Sequence, residues 1–480
     1  MRILYTSTEV YPALKTGGLA DVNAALPRAL IDAGADVRLL LPAFPDIVLA
    51  ANDLQPVLRL TSPFGGAQVR VLRGNLLGVP VYLIEAGEIY ARPGNPYVDE
   101  NGRDWPDNHL RFALLGWVAA CFGHGEMDGW RADIVHAHDW HAALAPAYLA
   151  AREGDRAGSV YTVHNLGYQG EFTAETFDEL ALPAHFFAMQ GIEFYGKVNF
   201  MKAGLHFADR ITTVSPTYSR EIQTPEFGCG LDGLLRSRAD VLSGILNGVD
   251  YLIWNPAFDA DITNHFSREN LRGKSRGKAH LRKELGLASS SAPLFGVVSR
   301  LTTQKGLDLV LQALPGIVAR GGQLALLGSG DADLETEFRE QAARYPTAVS
   351  VRLDYDEALA HRIIAGSDVV LVPSRFEPCG LTQLYALAYG ALPLVRRVGG
   401  LADSVCDADT IALANRAATG FVFDEFSADA LREALNRVFQ LWTMPQKWAV
   451  VRRTAMQKDF GWASAARCYL ALYRNLRPQA

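Results

Sequence analysis

Short, nearly continuous runs of Val, Ile and Leu alternate with amphipathic stretches from one end of the chain to the other. Runs of this kind are typical of strands buried on both faces, and helices between them connect such strands in parallel. The sequence therefore predicts an α/β protein whose parallel sheets are covered by helices on both sides. Predicted strands cover 2–8, 36–42, 79–85, 134–138, 159–164 and 210–214 in the first half, and 294–299, 323–327, 349–353, 368–373, 391–396 and 420–423 in the second.

Two domains are expected, because 480 residues exceed what one hydrophobic core usually supports. The predicted strands fall into two series on either side of the polar turn LNGVD at 246–250. We interpret the chain as two doubly wound, Rossmann-like domains, 1–246 and 247–457, that face a central cleft. An amphipathic helix is predicted within 458–480. The basic segment 268–283 is predicted as a solvated helix, since its cations follow no stripe.

Charge and cysteine content restrict the class of protein. The formal net charge of −6 argues against nucleic acid as the main partner, because phosphate backbones select basic surfaces. Five cysteines are scattered without a CxxC pair, so a reduced, cytoplasmic setting is expected. The longest apolar run, 112–123, is too short to cross a bilayer and predicts a buried helix, so no membrane partner is expected.

Two glycine turns lie where a predicted strand gives way to a helix. In SRFEPCGLT at 374–382, Glu377, Cys379 and Gly380 follow the strand at 368–373. Open α/β sheets bind ligands at the carboxyl ends of their strands, and the free N–H groups at a helix start attract phosphate. KTGG at 15–18 is a second turn of this kind, although alone it is weak evidence. The pattern GxxxxGK[ST] does not occur, which disfavours a P-loop NTPase.

Four side chains near these strand ends each allow two interpretations. Arg300 and Lys305 are either solvated surface cations or a pair that holds a diphosphate, and their position after the strand at 294–299 favours the second. Glu377 is either a helix N-cap or a carboxylate that accepts bonds from sugar hydroxyls. Cys379 is either a packing residue or a nucleophile, and a nucleophile needs a histidine partner that the sequence does not identify.

The segment HAHDWH at 136–141 combines histidines with a carboxylate and an indole. His136 and His138 share one face of the predicted strand, but a zinc site needs a third ligand, which disfavours it. Asp139 and Trp140 instead suit a sugar platform, with the indole beneath a pyranose ring and the carboxylate on its hydroxyls. His164 follows the next strand in a similar position. Four D-x-D pairs are interpreted as turn and cap residues, so no metal is expected.

Taken together, the motifs resemble one family. They occur in the order KTGGLADV (15–22), HAHDWH (136–141), TVHNLGYQG (162–170), LNGVD (246–250), SRLTTQKG (299–306), SRFEPCGLTQLYA (374–386) and RRVGGLADSV (396–405). This series is similar to the bacterial glycogen synthases and plant starch synthases, from the first strand to the C-terminal helix. The resemblance implies the glycosyltransferase B fold, an active site in the cleft between the domains, and a C-terminal helix that packs back on the first domain.

The reaction implied by the resemblance is transfer of glucose from ADP-glucose to the non-reducing end of an α-1,4-glucan such as glycogen. Configuration is retained and ADP is released. No metal or cofactor is implied, because Arg300 and Lys305 neutralise the diphosphate that a divalent ion neutralises in other transferases. The choice between ADP-glucose and UDP-glucose stays open. Front-face attack is favoured as the route to retention, and double displacement through a carboxylate remains the alternative.

The family's motifs also imply roles for individual residues. Catalytic roles fall on Arg300, Lys305, Glu377, His164 and Asp139, donor-binding roles on Lys15, Gly18, Asp21, Asn247, Tyr355, Cys379, Gly380, Leu381 and Thr382, and acceptor-binding roles on Tyr97 and Trp140. Many related retaining transferases carry a second glutamate eight residues after the first. This chain has Tyr385 there, as the glycogen and starch synthases also lack that glutamate. A nucleotide-sugar epimerase and a non-catalytic carbohydrate-binding protein of the same fold are the alternative functions.

Overall fold

The computed structural model describes residues 1–125 and 127–476. The chain forms two compact units: unit 1 holds Met1–Asn247 and the chain from Trp462 on, and unit 2 holds Gly248–Gly461. Unit 1 is therefore built from two separate parts of the sequence. No helix within the described ranges is long and apolar enough to cross a membrane.

Unit 1 is organised around a sheet of nine strands, flanked by a small sheet of three. Its strands are β1 (Arg2–Thr6), β2 (Asp36–Pro42), β3 (Ala51–Thr61), β4 (Gln68–Leu76), β5 (Val79–Glu85), β6 (Ile134–His138), β7 (Gly158–Val163), β8 (Glu171–Thr173), β9 (Glu193–Phe194), β10 (Lys197–Asn199), β11 (Arg210–Thr213) and β12 (Leu242–Gly244). The large sheet has the order β12-β11-β7-β6-β1-β2-β5-β4-β3 and is parallel from β12 to β5.

Helices cover this sheet. They are α1 (Gly18–Asp32), α2 (Pro45–Ala50), α3 (Gly87–Tyr90), α4 (Asn108–His124), α5 (Asp139–Ala142), α6 (Leu144–Ala150), α7 (Phe200–Phe207), α8 (Pro216–Glu221), α9 (Asp232–Ser237) and, from the end of the chain, α19 (Trp462–Leu476). The buried helix predicted at 112–123 is confirmed as α4, which is buried along nearly its whole length. The helix predicted within 458–480 is present as α19, and 477–480 lie outside the described residues.

The hairpin of β3 and β4 differs from the all-parallel sheet that the sequence predicts. Strand β4 is antiparallel to both β5 and β3, and it extends the sheet at one edge. Most residues of β3 are exposed and Pro56 lies within the strand, so its composition is far from the Val, Ile and Leu runs of a buried strand. Edge strands tolerate proline because one side of the strand needs no ladder partners. The apolar pattern therefore missed this part of the sheet.

Unit 2 is a single six-stranded parallel sheet. Its strands are β13 (Leu294–Val298), β14 (Gln323–Leu327), β15 (Val349–Arg352), β16 (Val369–Val372), β17 (Leu392–Arg396) and β18 (Phe421–Phe423), in the order β15-β14-β13-β16-β17-β18. Its helices are α10 (Arg272–Glu284), α11 (Leu307–Ala319), α12 (Ala332–Arg344), α13 (Glu357–Gly366), α14 (Thr382–Ala388), α15 (Gly399–Ser404), α16 (Thr410–Ala414), α17 (Ala428–Trp442) and α18 (Pro445–Met456). All six strands predicted in the second half are present.

The prediction of a fully solvated helix at 268–283 is wrong for its inner face. Lys274 is 3% exposed and donates to the carbonyl oxygen of Ala365 at 2.9 Å. Lys278, one turn later on the same face of α10, pairs with the buried carboxylate of Asp368 at 2.5 Å. Burial lowers the pKa of Lys274 well below its usual value. Long lysine stems pack as apolar groups, which a pattern based on charge alone does not register.

Both sheets reverse their winding order at one pair of neighbouring strands. In unit 1 the chain winds from β1 through β2 to one edge and returns to β6, which lies on the other side of β1. In unit 2 it winds from β13 through β14 to β15 and returns to β16 beside β13. The crevice outside the carboxyl ends of such a strand pair is where open α/β sheets bind ligands. The loops after β1, β6, β13 and β16 are therefore the expected positions of ligand-binding residues.

Candidate active site

In unit 2, the loops after β13 and β16 meet through Lys305 and Glu377. The Lys305 ammonium lies 2.6 Å from a carboxylate oxygen of Glu377, and the pair is largely buried. The next residue, Gly306, has φ +65°, and a Cβ there would overlap the carbonyl oxygen of Pro373. Only glycine allows this close approach at a left-handed backbone position. The glycine thus holds the two loops together and places the cation against the carboxylate.

Glu377 is a site carboxylate and not a helix cap. Its Oε2 accepts from Lys305 and also from the Ser374 hydroxyl at 2.9 Å. Helix α14 begins only at Thr382, and its N-cap residue is Leu381. The N-cap interpretation of Glu377 is therefore wrong.

The loop that carries Glu377 rests on a pair of glycines that the sequence analysis did not assign. The Gly400 amide donates to the carbonyl oxygens of Glu377 and Pro378, both at 3.2 Å. A Cβ at Gly399 would overlap the Glu377 carbonyl oxygen. The signal available in the sequence was a glycine pair directly after a strand, in the motif at 396–405. These glycines let α15 start against the loop.

The remaining unit 2 residues occupy the same edge of the sheet. Arg300 follows β13 and is exposed, and Tyr355 follows β15 and is 64% exposed. Cys379 is 4% exposed, which suits a packing role. Gly380 has φ +72°, and the Gln383 amide donates to the carbonyl oxygens of residues 379 and 380 at 3.0 and 2.9 Å. The turn before α14 is therefore fixed from inside.

In unit 1, the KTGG loop after β1 is held by a buried glutamate that sequence reasoning missed. Glu9 is 2% exposed and accepts from the Thr16 amide at 2.6 Å and the Thr16 hydroxyl at 2.7 Å. It also accepts from the hydroxyl of Tyr97. The Lys15 ammonium lies 3.1 Å from Asp21, in the first turn of α1. A carboxylate directly after a buried strand was the available signal for Glu9.

Asp139 is the most perturbed carboxylate of the site. It follows β6 with φ +58° and is 6% exposed, and one carboxylate oxygen has no partner among the described residues. Burial raises its pKa to about 7, although backbone N–H groups of Asn165 and His164 donate to it and act in the opposite direction. A strained backbone and a carboxylate that titrates near neutrality are both typical of functional sites.

The histidines around Asp139 are neutral; His136, His138 and His141 are buried, and His164 is half-buried. The Nδ1 of His138 lies 3.0 Å from the Nε2 of His164, so one of the two rings donates to the other. Burial lowers the pKa of His164 to about 3 and that of His138 well below the usual value. Both nitrogens of His136 already have hydroxyl partners. His138 and His164, joined by this hydrogen bond, are called the histidine relay.

Aromatic rings lie beside these histidines. The Trp140 ring packs edge-on against Phe112 at 4.8 Å, and the Tyr97 ring stacks on His141 at 4.5 Å. A Cβ on Gly170, which has φ +63°, would overlap the Trp140 ring. The glycine of TVHNLGYQG therefore makes room for the indole. Trp140 and Tyr97 lie 6.2 Å apart between ring centroids, so the two predicted acceptor residues belong to one cluster.

One group of potential metal ligands occurs in the described chain, in unit 2: Asp259, Asp261 and His361. One oxygen of the Asp259 carboxylate accepts from His361 Nδ1 at 2.7 Å and from the Tyr389 hydroxyl, and the other accepts from the Asp261 amide at 2.8 Å. Asp259 is therefore a turn residue that also accepts hydrogen bonds in a buried network, and these bonds explain why the three side chains lie together.

The predicted site residues thus form two groups, one at the carboxyl edge of each sheet. Unit 1 carries Lys15, Gly18, Asp21, Tyr97, Asp139, Trp140, His164 and Asn247, and unit 2 carries Arg300, Lys305, Tyr355, Glu377, Cys379, Gly380, Leu381 and Thr382. Most residues of each group follow neighbouring strands, which are β1, β6 and β7 in unit 1 and β13 and β16 in unit 2. Tyr97, Asn247 and Tyr355 follow strands further along the sheets. Asn247 is the last residue of the first part of unit 1, and it is 7% exposed.

Comparison with known proteins gives the same picture along the whole chain. The family model described as starch synthase catalytic domain matches residues 2–237, and that described as glycosyl transferases group 1 matches 281–451. The glycogen synthase of Leptothrix cholodnii is 57% identical over 99% of this chain and all of its own length. That of Serratia proteamaculans is 55% identical at the same coverage.

Solved structures agree with the sequence relatives. The catalytic domain of starch synthase IV from Arabidopsis thaliana, bound to ADP and acarbose, superposes with a TM-score of 0.89 at 32% identity and covers 99% of both chains. A sucrose-phosphate synthase from Thermosynechococcus elongatus shares the fold at 19% identity, with a TM-score of 0.60 over 99% of this chain and 98% of its own. The glycosyltransferase B fold is confirmed, and the chain belongs to the glycogen and starch synthase family of glycosyltransferases.

Proposed function

We propose that this glycosyltransferase transfers glucose from ADP-glucose to the non-reducing end of an α-1,4-glucan, with retention of configuration and release of ADP. The observation that carries the proposal is the cluster of Lys305, Glu377 and Ser374 at the strand pair where unit 2 reverses its winding. A cation for a diphosphate and a carboxylate for sugar hydroxyls lie within 3 Å of one another there. A sugar joined directly to a diphosphate carries hydroxyl groups beside negative charge, so a carboxylate next to a cation suits such a donor.

The departing ADP is stabilised by fixed positive charge. Arg300 and Lys305 neutralise the diphosphate as the bond to the anomeric carbon breaks and its electron pair goes to the phosphate oxygen. The backbone N–H groups of Leu381 and Thr382 add hydrogen bonds to the same group. Preorganised donors at the site where charge develops are often the largest contribution to catalysis. No metal ion is needed in this scheme, because two cationic side chains supply the compensating charge.

The other donor-binding roles fall on further residues of the predicted site. Glu377 accepts hydroxyl groups of the glucose, while Cys379 and Gly380 line it. Tyr355 stacks on the adenine, and its 64% exposed ring leaves a face available for a base. Lys15, Gly18 and Asp21 bind at the junction of nucleotide and sugar. Asn247 is a further donor-binding residue. Support for these roles comes from the position of every one of these residues after a strand or at the start of a helix.

Unit 1 supplies the groups that act on the glucose and the acceptor. His164 is neutral at physiological pH, so it acts at the glucose as a hydrogen-bonding group and not as a cation. Asp139 supplies a carboxylate close to the reacting carbon. Trp140 and Tyr97 provide aromatic faces for the acceptor chain. In front-face attack the acceptor oxygen bonds to the anomeric carbon on the side from which ADP leaves, and its proton passes to the departing phosphate oxygen.

Double displacement is the alternative route to retention. It requires a carboxylate that forms a covalent bond to the anomeric carbon on the face opposite the diphosphate. Glu377 is engaged by Lys305 and Ser374, which favours a binding role. Isolation of a glucosyl ester on a specific Asp or Glu after reaction with ADP-glucose would replace front-face attack by double displacement.

Gly170→Ala is expected to weaken use of the glucan acceptor. The new Cβ would overlap the Trp140 ring, and a left-handed backbone position costs an alanine about 1–2 kcal/mol. We expect kcat/KM for glycogen to fall about tenfold or more, since a displacement of about 1 Å is enough for losses of that size, while the Kd for ADP stays unchanged.

The matched control for this variant is Gly66→Ala. Gly66 has φ +74° but nothing within 4 Å of the position of its Cβ, so it isolates backbone strain from the clash with the indole. Equal losses of acceptor kcat/KM in both variants would show that the indole position is irrelevant.

The proposed function is tested by measuring ADP release from ADP-glucose with and without glycogen, beside UDP release from UDP-glucose. Glycogen-dependent ADP release, with little UDP release from UDP-glucose, is the expected result. Release without dependence on glycogen would indicate hydrolysis or a different acceptor. No release from either donor would favour the epimerase or the carbohydrate-binding alternative, and conversion of the donor to an epimer would separate those two.

We also propose that the enzyme works in a cytoplasmic, reducing environment. All five cysteines are free in the described chain, and Cys379 would line the glucose as a thiol. The proposed partners are ADP-glucose and glycogen or a related glucan, with no role for nucleic acid or membrane. The net charge of −6 supports the first of these exclusions, because a nucleic-acid surface needs excess cations.

A further inference from the structure

Tyr473, in the last helix of unit 1, contacts a central strand of the large sheet. Its ring is fully buried, and its hydroxyl lies 2.7 Å from Nδ1 of His136, a residue in the middle of β6. The two residues are 337 positions apart in the chain. Neither Tyr473 nor His136 belongs to the residues to which the proposed reaction gives a role. A buried hydrogen bond between residues so far apart in sequence ties the end of the chain to β6.

His136 is held at both of its ring nitrogens. Opposite the tyrosine, its Nε2 lies 2.6 Å from the hydroxyl of Thr162 on β7, which lies 2.5 Å from the hydroxyl of Thr212 on β11. Burial lowers the pKa of His136 well below the usual value, so the ring is neutral and carries one N–H. Burial also raises the pKa of the Tyr473 phenol, so the phenol keeps its proton. Two hydroxyl groups therefore fix the orientation of the imidazole.

The His136 ring in turn supports the relay that ends at His164. His136 and His138 share one face of β6, with ring centroids 3.9 Å apart. His138 also stacks on Tyr5 at 4.0 Å, and the Tyr5 ring contacts His136 edge-on at 5.6 Å, so the three rings pack against one another. Two neighbouring rings thus hold the His138 ring, and its Nδ1 lies 3.0 Å from Nε2 of His164. Rotation of His136 removes one of these two packing contacts and allows His138 to move away from His164.

We propose that Tyr473 is a positioning residue for glucosyl transfer, acting through His136 and His138 on His164. This inference rests on the proposed function, because it requires His164 to act at the transferred glucose. The tyrosine touches no substrate. It completes the hydrogen bonds of His136, and the fixed His136 ring holds His138 in the orientation that bonds to His164.

The hydroxyl of Tyr473 is the atom that carries this effect. Tyr473→Phe keeps the buried ring and leaves Nδ1 of His136 without a partner in a site closed to water. An imidazole nitrogen left in that state favours any rotation or change of tautomer that finds it a new partner. The position of His164 then becomes less well defined, while the residues that bind ADP, in unit 2, are untouched.

The test compares Tyr473→Phe with Tyr148→Phe in the glycogen-dependent assay. We expect kcat of Tyr473→Phe to fall about tenfold to a hundredfold, with the KM for ADP-glucose and the Kd for ADP within about twofold of wild type. Tyr148 is also a buried tyrosine of unit 1, and its hydroxyl donates to the Leu180 carbonyl oxygen at 2.6 Å. Among the described residues, no hydrogen bond or ring contact joins Tyr148 to the histidine relay, so Tyr148→Phe reports what the loss of one buried hydroxyl does to folding alone. We expect its kcat to stay near wild type.

Substitutions of Thr162 provide a second readout that a purely structural role of Tyr473 would not move. Thr162→Val removes the other hydroxyl partner of His136 and is expected to lower kcat in the same way, whereas Thr162→Ser keeps the hydroxyl and is expected to restore most of it. Because both partners act on one ring, the double variant Tyr473→Phe/Thr162→Val is expected to lose less than the product of the single losses.

Three results would overturn the inference. They are near-wild-type kcat in Tyr473→Phe, equal losses in Tyr473→Phe and Tyr148→Phe, or independent multiplication of the two losses in the double variant. Each leaves the proposed function intact as long as the wild type releases ADP in a glycogen-dependent manner. A wild type without that activity would remove the proposed function and the inference together.

Discussion

Lys305→Ala is expected to lower kcat by about a hundredfold or more. The variant removes one of the two charges proposed to stabilise the departing diphosphate, and losses of this size accompany removal of one preorganised group. The Glu377 side chain is 7% exposed, and its carboxylate lies 2.6 Å from the Lys305 ammonium. The variant therefore leaves this buried carboxylate without its cation. The Glu377 carboxylate proposed to bind the glucose would therefore lose its orientation, and the leaving group would lose a compensating positive charge. Steady-state kinetics with ADP-glucose and saturating glycogen measure the effect.

Lys447→Ala is the matched control, because Lys447 is an exposed lysine in the first turn of α18. Its kcat should equal that of the wild type. Arg300→Ala should resemble Lys305→Ala in kcat but leaves the Lys305–Glu377 pair in place. The double variant Lys305→Ala/Glu377→Gln removes both members of that pair. Comparing the two variants separates charge neutralisation from carboxylate orientation. Activity within tenfold of wild type in both Arg300→Ala and Lys305→Ala would remove leaving-group stabilisation from these residues.

Asp139→Asn is expected to lose activity and to gain stability at alkaline pH. Burial raises the pKa of Asp139 to about 7 in the folded protein, from 3.8 for an exposed side chain. Because the pKa is higher in the folded protein, the protonated carboxyl stabilises the fold fully at pH values below the unfolded-state pKa of 3.8. This stabilisation is lost as the pH rises through the folded-state pKa of about 7. The difference corresponds to a cost on the order of 4 kcal/mol for the ionised group at pH 8.

An asparagine carries no such cost, so thermal unfolding should show the variant and wild type similar at pH 4 and the variant several degrees higher in Tm at pH 8. The kcat should fall about a hundredfold or more, because the variant lacks the carboxylate proposed to lie close to the reacting carbon. Asp178→Asn, at an exposed carboxylate of unit 1, should change neither quantity. A Tm difference that stays constant between pH 4 and pH 8 would contradict the burial of a titrating carboxylate.

The apolar pattern located all the parallel strands of unit 2 and the six most buried parallel strands of unit 1, because those strands repeat the same apolar run. It missed the β3–β4 hairpin and the short strand β12, whose residues are largely exposed or too few to form a run. It also placed Lys274 and Lys278 in solvent, since their burial depends on acceptors at Ala365 and Asp368 that come from another part of the chain.

The candidate site shows the same division between local and distant information. Residues that directly follow a strand, such as Asp139 and His164, were found from sequence. Glu9 and the Gly399–Gly400 pair were not, because their importance depends on which loop packs against them. The pKa of Asp139 and the neutrality of the histidines follow from burial, which no spacing in the sequence encodes.

The two-part composition of unit 1 has a consequence for how the protein is made. A ribosome releases Met1–Asn247 and then all of unit 2 before it reaches α19, a delay on the order of tens of seconds at ordinary rates of synthesis. During that interval the face of the large sheet that receives Tyr469 and Tyr473 has no cover, and His136 has no partner at Nδ1. The nascent first half is thus the stage at which chaperones and proteases have access to this surface. A shortened chain that ends before Trp462 would keep that exposure permanently, so we expect it to be recovered mainly with chaperones or in aggregates.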